Sequence, residues 1–140
     1  MRYPMILRPD QTGTVLAQAV DAPGGLTVGR NEADAIAQAN DALMTLFAHL
    51  ISQGEPIPTP SRPKRGQACA VLPPMVAAKL AIYQVMREAG LTSPRSPKKL
   101  GCDPRQVRLL GLDHHSRLDQ LDAALAALGK RLVIEVQDAA

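Results

Sequence analysis

Aromatic residues are almost absent from this 140-residue chain: Tyr3, Phe47 and Tyr83 are the full set, and there is no tryptophan. Reading single-stranded nucleic acid by base stacking needs aromatic platforms, so that class of function is disfavoured. A rigid carbohydrate or drug-like pocket is disfavoured with it. Hydrophobic runs are short, far below the roughly 18 residues that a bilayer crossing requires. The N-terminus lacks the charged start, apolar stretch and small-residue cleavage site of a secretory leader. These absences predict a soluble, cytoplasmic protein with no membrane partner. Cys69 and Cys102 are the only cysteines, isolated and without C-x-x-C spacing. They read as reduced thiols.

What is present suffices for a packed core: 46% of residues are apolar and 21% charged. The length fits one ordinary domain or two small ones. The net charge of +3 hides an asymmetry. Residues 1–60 hold Arg2, Arg8 and Arg30 against six acids, whereas residues 61–140 hold thirteen Lys and Arg against seven. The sign changes where Pro56, Pro58, Pro60 and Pro63 fall within eight residues. Proline fixes φ, removes a donor and restricts its predecessor, so this stretch reads as an extended connector. We place the domain boundary near Ser61, with residues 1–61 as one domain, 62–72 as linker and short strand, and 73–140 as a second domain.

The first domain has a β-β-β-α pattern. Residues 2–8, 14–20 and 26–28 read as strands separated by turns at Pro9–Gly13 and Ala22–Gly25. Asn31 is the expected N-cap of a long helix, with Asp34 three residues on as an acidic capping-box partner. Ile36, Leu43, Phe47 and Leu50 define its buried face, and Gln53-Gly54 ends it. In the second half, residues 67–72 suit a short strand and Pro73-Pro74 opens a helix with Val76, Leu80 and Tyr83 buried. Residues 94–100 and 104–110 are short helical candidates around Gly101-Cys102-Asp103. Ser116 is the expected cap of a helix over 117–128 with Leu118, Leu121, Leu125 and Leu128 on one face. Residues 132–136 suit a closing strand. The fold class is therefore α+β, with a mainly helical second domain.

Two short helices around a glycine-bearing turn suggest a helix-turn-helix. In the second, Val107 and Leu110 face the core while Arg105, Gln106 and Arg108 point outward. Arginine reads guanine and glutamine reads adenine from the major groove. Asp103 either accepts from cytosine or caps the helix, and Arg95, Lys98, Lys99 and Arg117 suit phosphate contacts. A solvated basic face on a small helical bundle is the alternative. Pro94 and Pro97 shorten the first helix, because proline inside a helix costs about 3 kcal/mol or more.

The whole chain resembles the HicB-type antitoxins of bacterial toxin–antitoxin systems, in the subgroup with a C-terminal helix-turn-helix. The resemblance is carried in order by Arg2-Tyr3-Pro4, Val20-Asp21-Ala22-Pro23, Leu26-Thr27-Val28-Gly29, Glu32-Ala33, Asp41-Ala42-Leu43 and Gly54–Ser61. It continues with Leu72-Pro73, Ala77–Tyr83, Gln106-Val107, Asp113–Leu121 and Ala127–Leu132. Departures are Val20, where the family usually has proline, and Arg95-Ser96-Pro97, where it has a regular helix. The resemblance implies an N-terminal domain like a truncated ribonuclease H fold that blocks a small mRNA-cleaving toxin, HicA. It also implies a C-terminal domain that binds double-stranded operator DNA as a dimer or larger homo-oligomer.

A toxin that binds RNA must be basic, and an acidic surface steers towards it. Asp10, Asp21, Asp41 and Glu55 are the candidate toxin-binding residues. No catalytic role is expected: Asp10, Asp21, Glu32, Asp34 and Asp41 do not read as a two-metal carboxylate cluster, Asp34 being explained by capping. The adjacent His114-His115 pair lacks further ligands at metal-binding spacing. Cys102 near Lys98 and Lys99 reads as a structural thiol, and no cofactor is implied. Two rival readings remain: an oligomerisation module whose helix-turn-helix is degenerate, and a stand-alone transcriptional regulator.

Overall fold

The computed structural model describes residues 1–90, 111–112 and 115–138. Among them are four strands, β1 (Arg2–Pro9), β2 (Val15–Ala19), β3 (Leu26–Gly29) and β4 (Cys69–Val71), and three helices, α1 (Glu32–Gln53), α2 (Pro74–Glu88) and α3 (Leu118–Ala127). The α+β class and the β-β-β-α order hold. By proximity along the backbone the chain forms two compact units, Met1–Ala77 and Ala78–Ala140.

The strands of the first unit form one antiparallel sheet in the order β3-β2-β1-β4. Residues 69–71, within the short strand expected over 67–72, extend this sheet: Tyr3 pairs with Ala70 and Pro4 with Cys69. The period of two puts Tyr3, Met5, Val15, Ala17, Ala19, Gly29 and Ala70 on one face, all buried. α1 lies on that face. Its buried stripe is Ala35, Ala39, Leu43 and Phe47, one residue every four. Phe47 meets the Tyr3 ring at 5.2 Å between centroids. The expected face is thus half right, since Ile36 and Leu50 are only half-buried. At the start of the helix the reason is Gly29: a Cβ there would collide with the backbone of Ala35 and Asp34. Such close approach leaves room only for alanine on the first turns of the helix.

α1 begins as expected. The Asn31 side chain accepts from the Asp34 N–H at 2.8 Å, and the Asp34 carboxylate accepts from the Arg30 N–H at 2.8 Å. The second unit carries two corrections. Arg117, not Ser116, is the N-cap residue of α3: its N–H donates to Gln120 Oε1 at 3.2 Å, and the buried Ser116 hydroxyl has no hydrogen-bond partner among the described residues. The closing strand over 132–136 does not form. A strand needs an edge to pair with, and no other strand is found in this unit among the described residues. The Lys130 N–H instead returns to the Leu125 carbonyl and the Leu132 N–H to Asp122 Oδ1.

Candidate functional site

In the first unit, the proline-rich segment is strapped to one end of the sheet. α1 stops at Gly54, whose φ of 70° is natural for glycine, and the Glu55 N–H returns to the Leu50 carbonyl at 2.9 Å. The chain then buries Ile57. The Tyr3 hydroxyl donates to the Pro58 carbonyl oxygen at 2.7 Å. Beyond it, the Ser61 N–H and hydroxyl both donate to one carboxylate oxygen of Asp21, at 2.8 and 2.9 Å. Burial, reinforced by the negative charge of Asp21, pushes the Tyr3 pKa up to about 12.

The four candidate acids do not form one cluster. Asp10 follows β1 and Asp21 follows β2, so antiparallel pairing sends them to opposite ends of the sheet. Asp10 shapes its own turn, accepting from the Gln11 N–H at 2.6 Å and the Thr12 hydroxyl at 3.2 Å. Asp21 is half-buried and committed to Ser61. Asp41 is exposed in the middle of α1, away from its buried stripe, and Glu55 is exposed just past the helix end. Asp34, near the helix start, has its carboxyl held below the usual carboxylate range, first by the Arg30 N–H and then, against some desolvation, by the Arg30 guanidinium. Arg62, Lys64 and Arg65 of the strap, with Arg2, Arg8 and Arg30, equal in number the six acids of this unit. The acidic excess is therefore local to parts of its surface.

Of the DNA-contact candidates, Arg95, Lys98, Lys99, Asp103, Arg105, Gln106 and Arg108 lie outside the described residues, as do Cys102 and His114. Arg117 is exposed, and its guanidinium pairs with Asp119 at 2.7 Å. Its charge is partly neutralised within its own helix turn.

Two features escaped the sequence reading. The sheet face opposite α1 exposes a row of apolar side chains: Val28 (54% exposed) and Leu26 (50%) on β3, Ile6 on β1 and Val71 on β4, with Val20 just beyond β2. Register aligns Val28 with Leu16 and Arg8, and Leu26 with Gln18 and Ile6, across this face. The signal was the run Met5-Ile6-Leu7, apolar on both faces where a single helix covers only one. The second feature is Lys79, fully buried on α2, whose Nζ donates to the Gly111 carbonyl at 2.6 Å. Helical spacing from Val76 to Tyr83 already placed it on the buried stripe.

Among the described residues no three His, Cys, Asp or Glu come together as a metal site would require, and no helix is long and apolar enough to cross a membrane. What the first unit offers is surface: an open apolar sheet face, with acids on the helix and the turns. Known proteins resemble the chain over almost all of its length. Antitoxin HicB 2 of Photorhabdus laumondii is 35% identical over 133 residues, 94% of each chain. Antitoxin HicB of Escherichia coli K12 is 32% identical, covering 94% of this chain and 96% of its own. Antitoxin HicB of Pseudomonas fluorescens is 27% identical over 132 residues, 93% of this chain and 90% of its own. Residues 2–81 match the family described as HicB-like antitoxin of bacterial toxin–antitoxin systems, a span close to that of the first compact unit. The chain belongs to the HicB-like antitoxin family.

Proposed function

We propose that the chain is a cytoplasmic, non-enzymatic antitoxin that captures a small, basic, HicA-like mRNA-cleaving toxin and represses its own operon. In this reading the first unit, a partial ribonuclease H-like domain, holds the toxin and occupies its RNA-binding surface. The exposed apolar sheet face carries the reading, because patches of this kind mark protein interfaces. The family match over the same residues supports it. Asp10, Asp21, Asp41 and Glu55 bias the encounter towards a cationic partner. The test is inhibition of the toxin's mRNA cleavage by the purified chain. Leu26→Asp combined with Val28→Asp is expected to raise the inhibitory concentration, and unchanged inhibition sinks the assignment of this face.

The second unit, in the same reading, is a helix-turn-helix dimer on double-stranded operator DNA. Arg105, Gln106, Arg108 and Asp103 meet base edges, and Arg95, Lys98, Lys99 and Arg117 meet phosphates. Fluorescence anisotropy on the upstream duplex and a scrambled one, titrated across about 50–200 mM salt, tests it. Preference for the native duplex with a steep salt dependence supports repression. Equal or absent binding leaves toxin capture as the remaining function.

A further inference from the structure

The segment over residues 130–138 is strand-like in composition and has no strand to pair with among the described residues of its unit. Residues 130–138 read Lys-Arg-Leu-Val-Ile-Glu-Val-Gln-Asp. Four of the five residues from 132 to 136 are large aliphatics, and three of these stand in solvent: Val133 is 78% exposed, Ile134 66% and Val136 93%. The root of the segment is fixed to α3 by the Lys130 N–H on Leu125 and the Leu132 N–H on Asp122. An anchored, β-branched segment with an unpaired backbone is a template for another strand.

The charge order of the segment selects the partner. It begins basic, with Lys130 and Arg131, and ends acidic, with Glu135 and Asp138. Antiparallel pairing with an identical segment reverses that order and sets each basic end against an acidic one. A two-fold axis at Val133 leaves no mismatch over residues 131–135: Val133 faces Val133, Leu132 faces Ile134, and Arg131 faces Glu135, the last two pairs occurring twice. Directly opposed aliphatic and opposite-charge pairs stabilise a sheet, whereas opposed like charges weaken it.

We propose that two copies of this chain associate through an antiparallel ribbon of residues 131–135 centred on Val133. The proposal rests on the dimeric reading above and names the segment that makes the dimer. A ribbon of two short strands is marginal alone. The alternation of the strand puts Leu132, Ile134 and Val136 on one side, so this apolar side is the one covered in the dimer.

Sedimentation equilibrium on full-length variants tests it. Val133→Asp sets two carboxylates face to face and is expected to weaken the dimer, and its exposed site leaves the monomer fold intact. Arg131→Glu and Glu135→Arg are each expected to weaken association, and the double swap to restore it. Val133→Cys is expected to form a disulfide-linked dimer on mild oxidation, with the wild-type chain and Ile134→Cys as controls. Cross-linking through Ile134→Cys alone overturns the stated register. A dimer untouched by Val133→Asp, with no cross-link at either position, overturns the ribbon and leaves the dimeric reading standing. A chain that is monomeric throughout overturns both.

Discussion

The hydroxyl of Tyr3, on the first strand, donates to the carbonyl oxygen of Pro58 at 2.7 Å, across 55 residues of chain. Tyr3 is buried and Pro58 half-buried, and the bond requires the phenol to keep its proton. Burial and the Asp21 charge raise the Tyr3 pKa from 10.0 to about 12. The unfolded chain therefore loses this proton first, near pH 10. The stability that the neutral phenol contributes is complete below pH 10 and is lost as pH rises towards 12. Tyr3→Phe should lower stability by about 1–2 kcal/mol at neutral pH, by leaving the Pro58 carbonyl unpaired. It should also flatten the alkaline decline, which urea denaturation at pH 8 to 11.5 will show.

Asp21 and Ser61 close the same strap. Asp21→Asn retains shape but loses the charge that two donors share, at a cost of about 1–2 kcal/mol for a half-exposed site. The local consequence is more telling than the global one. Arg62, Lys64 and Arg65 follow Ser61 directly, so trypsin should cut there faster in Asp21→Asn and in Ser61→Ala than in the parent chain. Equal cleavage rates would mean that the strap is held without this pair.

Gly29 tests the packing of α1 on the sheet. A methyl group there meets backbone of Ala35 and Asp34, not a flexible side chain, so neither partner yields easily. Gly29→Ala should destabilise the first unit by about 3 kcal/mol, the upper end of ordinary overpacking. Thermal unfolding followed by circular dichroism gives the comparison, with Gly66→Ala as a contrast. Space is open at Gly66, and only the left-handed φ of 73° opposes a side chain.

Asp34 makes the acid side of the pH profile. Its folded pKa lies below the ordinary carboxylate value of the unfolded chain, so its contribution is present above that value. That contribution is lost as pH falls through the lowered folded value. Asp34→Asn should remove this part of the acid transition, read as a smaller change in urea midpoint between pH 5 and pH 2.5. Asn31→Ala, which deletes the cap itself, should cost about 1 kcal/mol at every pH.

In the first unit, local signals were legible where one residue decides the outcome, whereas the cap expected at Ser116 falls on Arg117. Asn31 and Gly54 announce the two ends of α1, and the turns separating β1, β2 and β3 are marked by glycine, proline and aspartate. What sequence left open is pairing. Residues 69–71 read as a strand, but nothing local says that β1 is their partner. Residues 132–136 read as a strand equally well and have no partner among the described residues of their own unit. The connector looked like a spacer because its prolines forbid a helix, while its attachment depends on Tyr3 and Asp21, which lie 55 and 40 residues away. Asp41 and Glu55 are exposed, whereas Asp21 is half-buried and held in a contact with Ser61.

Lys79 is the residue whose burial most needs explaining, because an ammonium group leaves water only for strong compensation. Its Nζ lies 2.6 Å from the Gly111 carbonyl oxygen, a charge-assisted bond joining α2 to the chain just before Leu112, itself buried. Two substitutions separate the roles of stem and head. Lys79→Met keeps an unbranched apolar stem and removes the donor, leaving a carbonyl underpaired, at about 1–3 kcal/mol. Lys79→Ala removes the stem as well and opens a cavity, at about 2–5 kcal/mol. If Lys79→Met unfolds as readily as Lys79→Ala, the head group dominates. If Lys79→Met matches or exceeds the parent in stability, desolvation of the ammonium outweighs its hydrogen bonding, and the lysine is kept for positioning the segment at Gly111. Urea denaturation of the two variants beside the parent chain distinguishes these outcomes. Hydrogen exchange at Leu112 reports whether that segment loosens with the lysine gone.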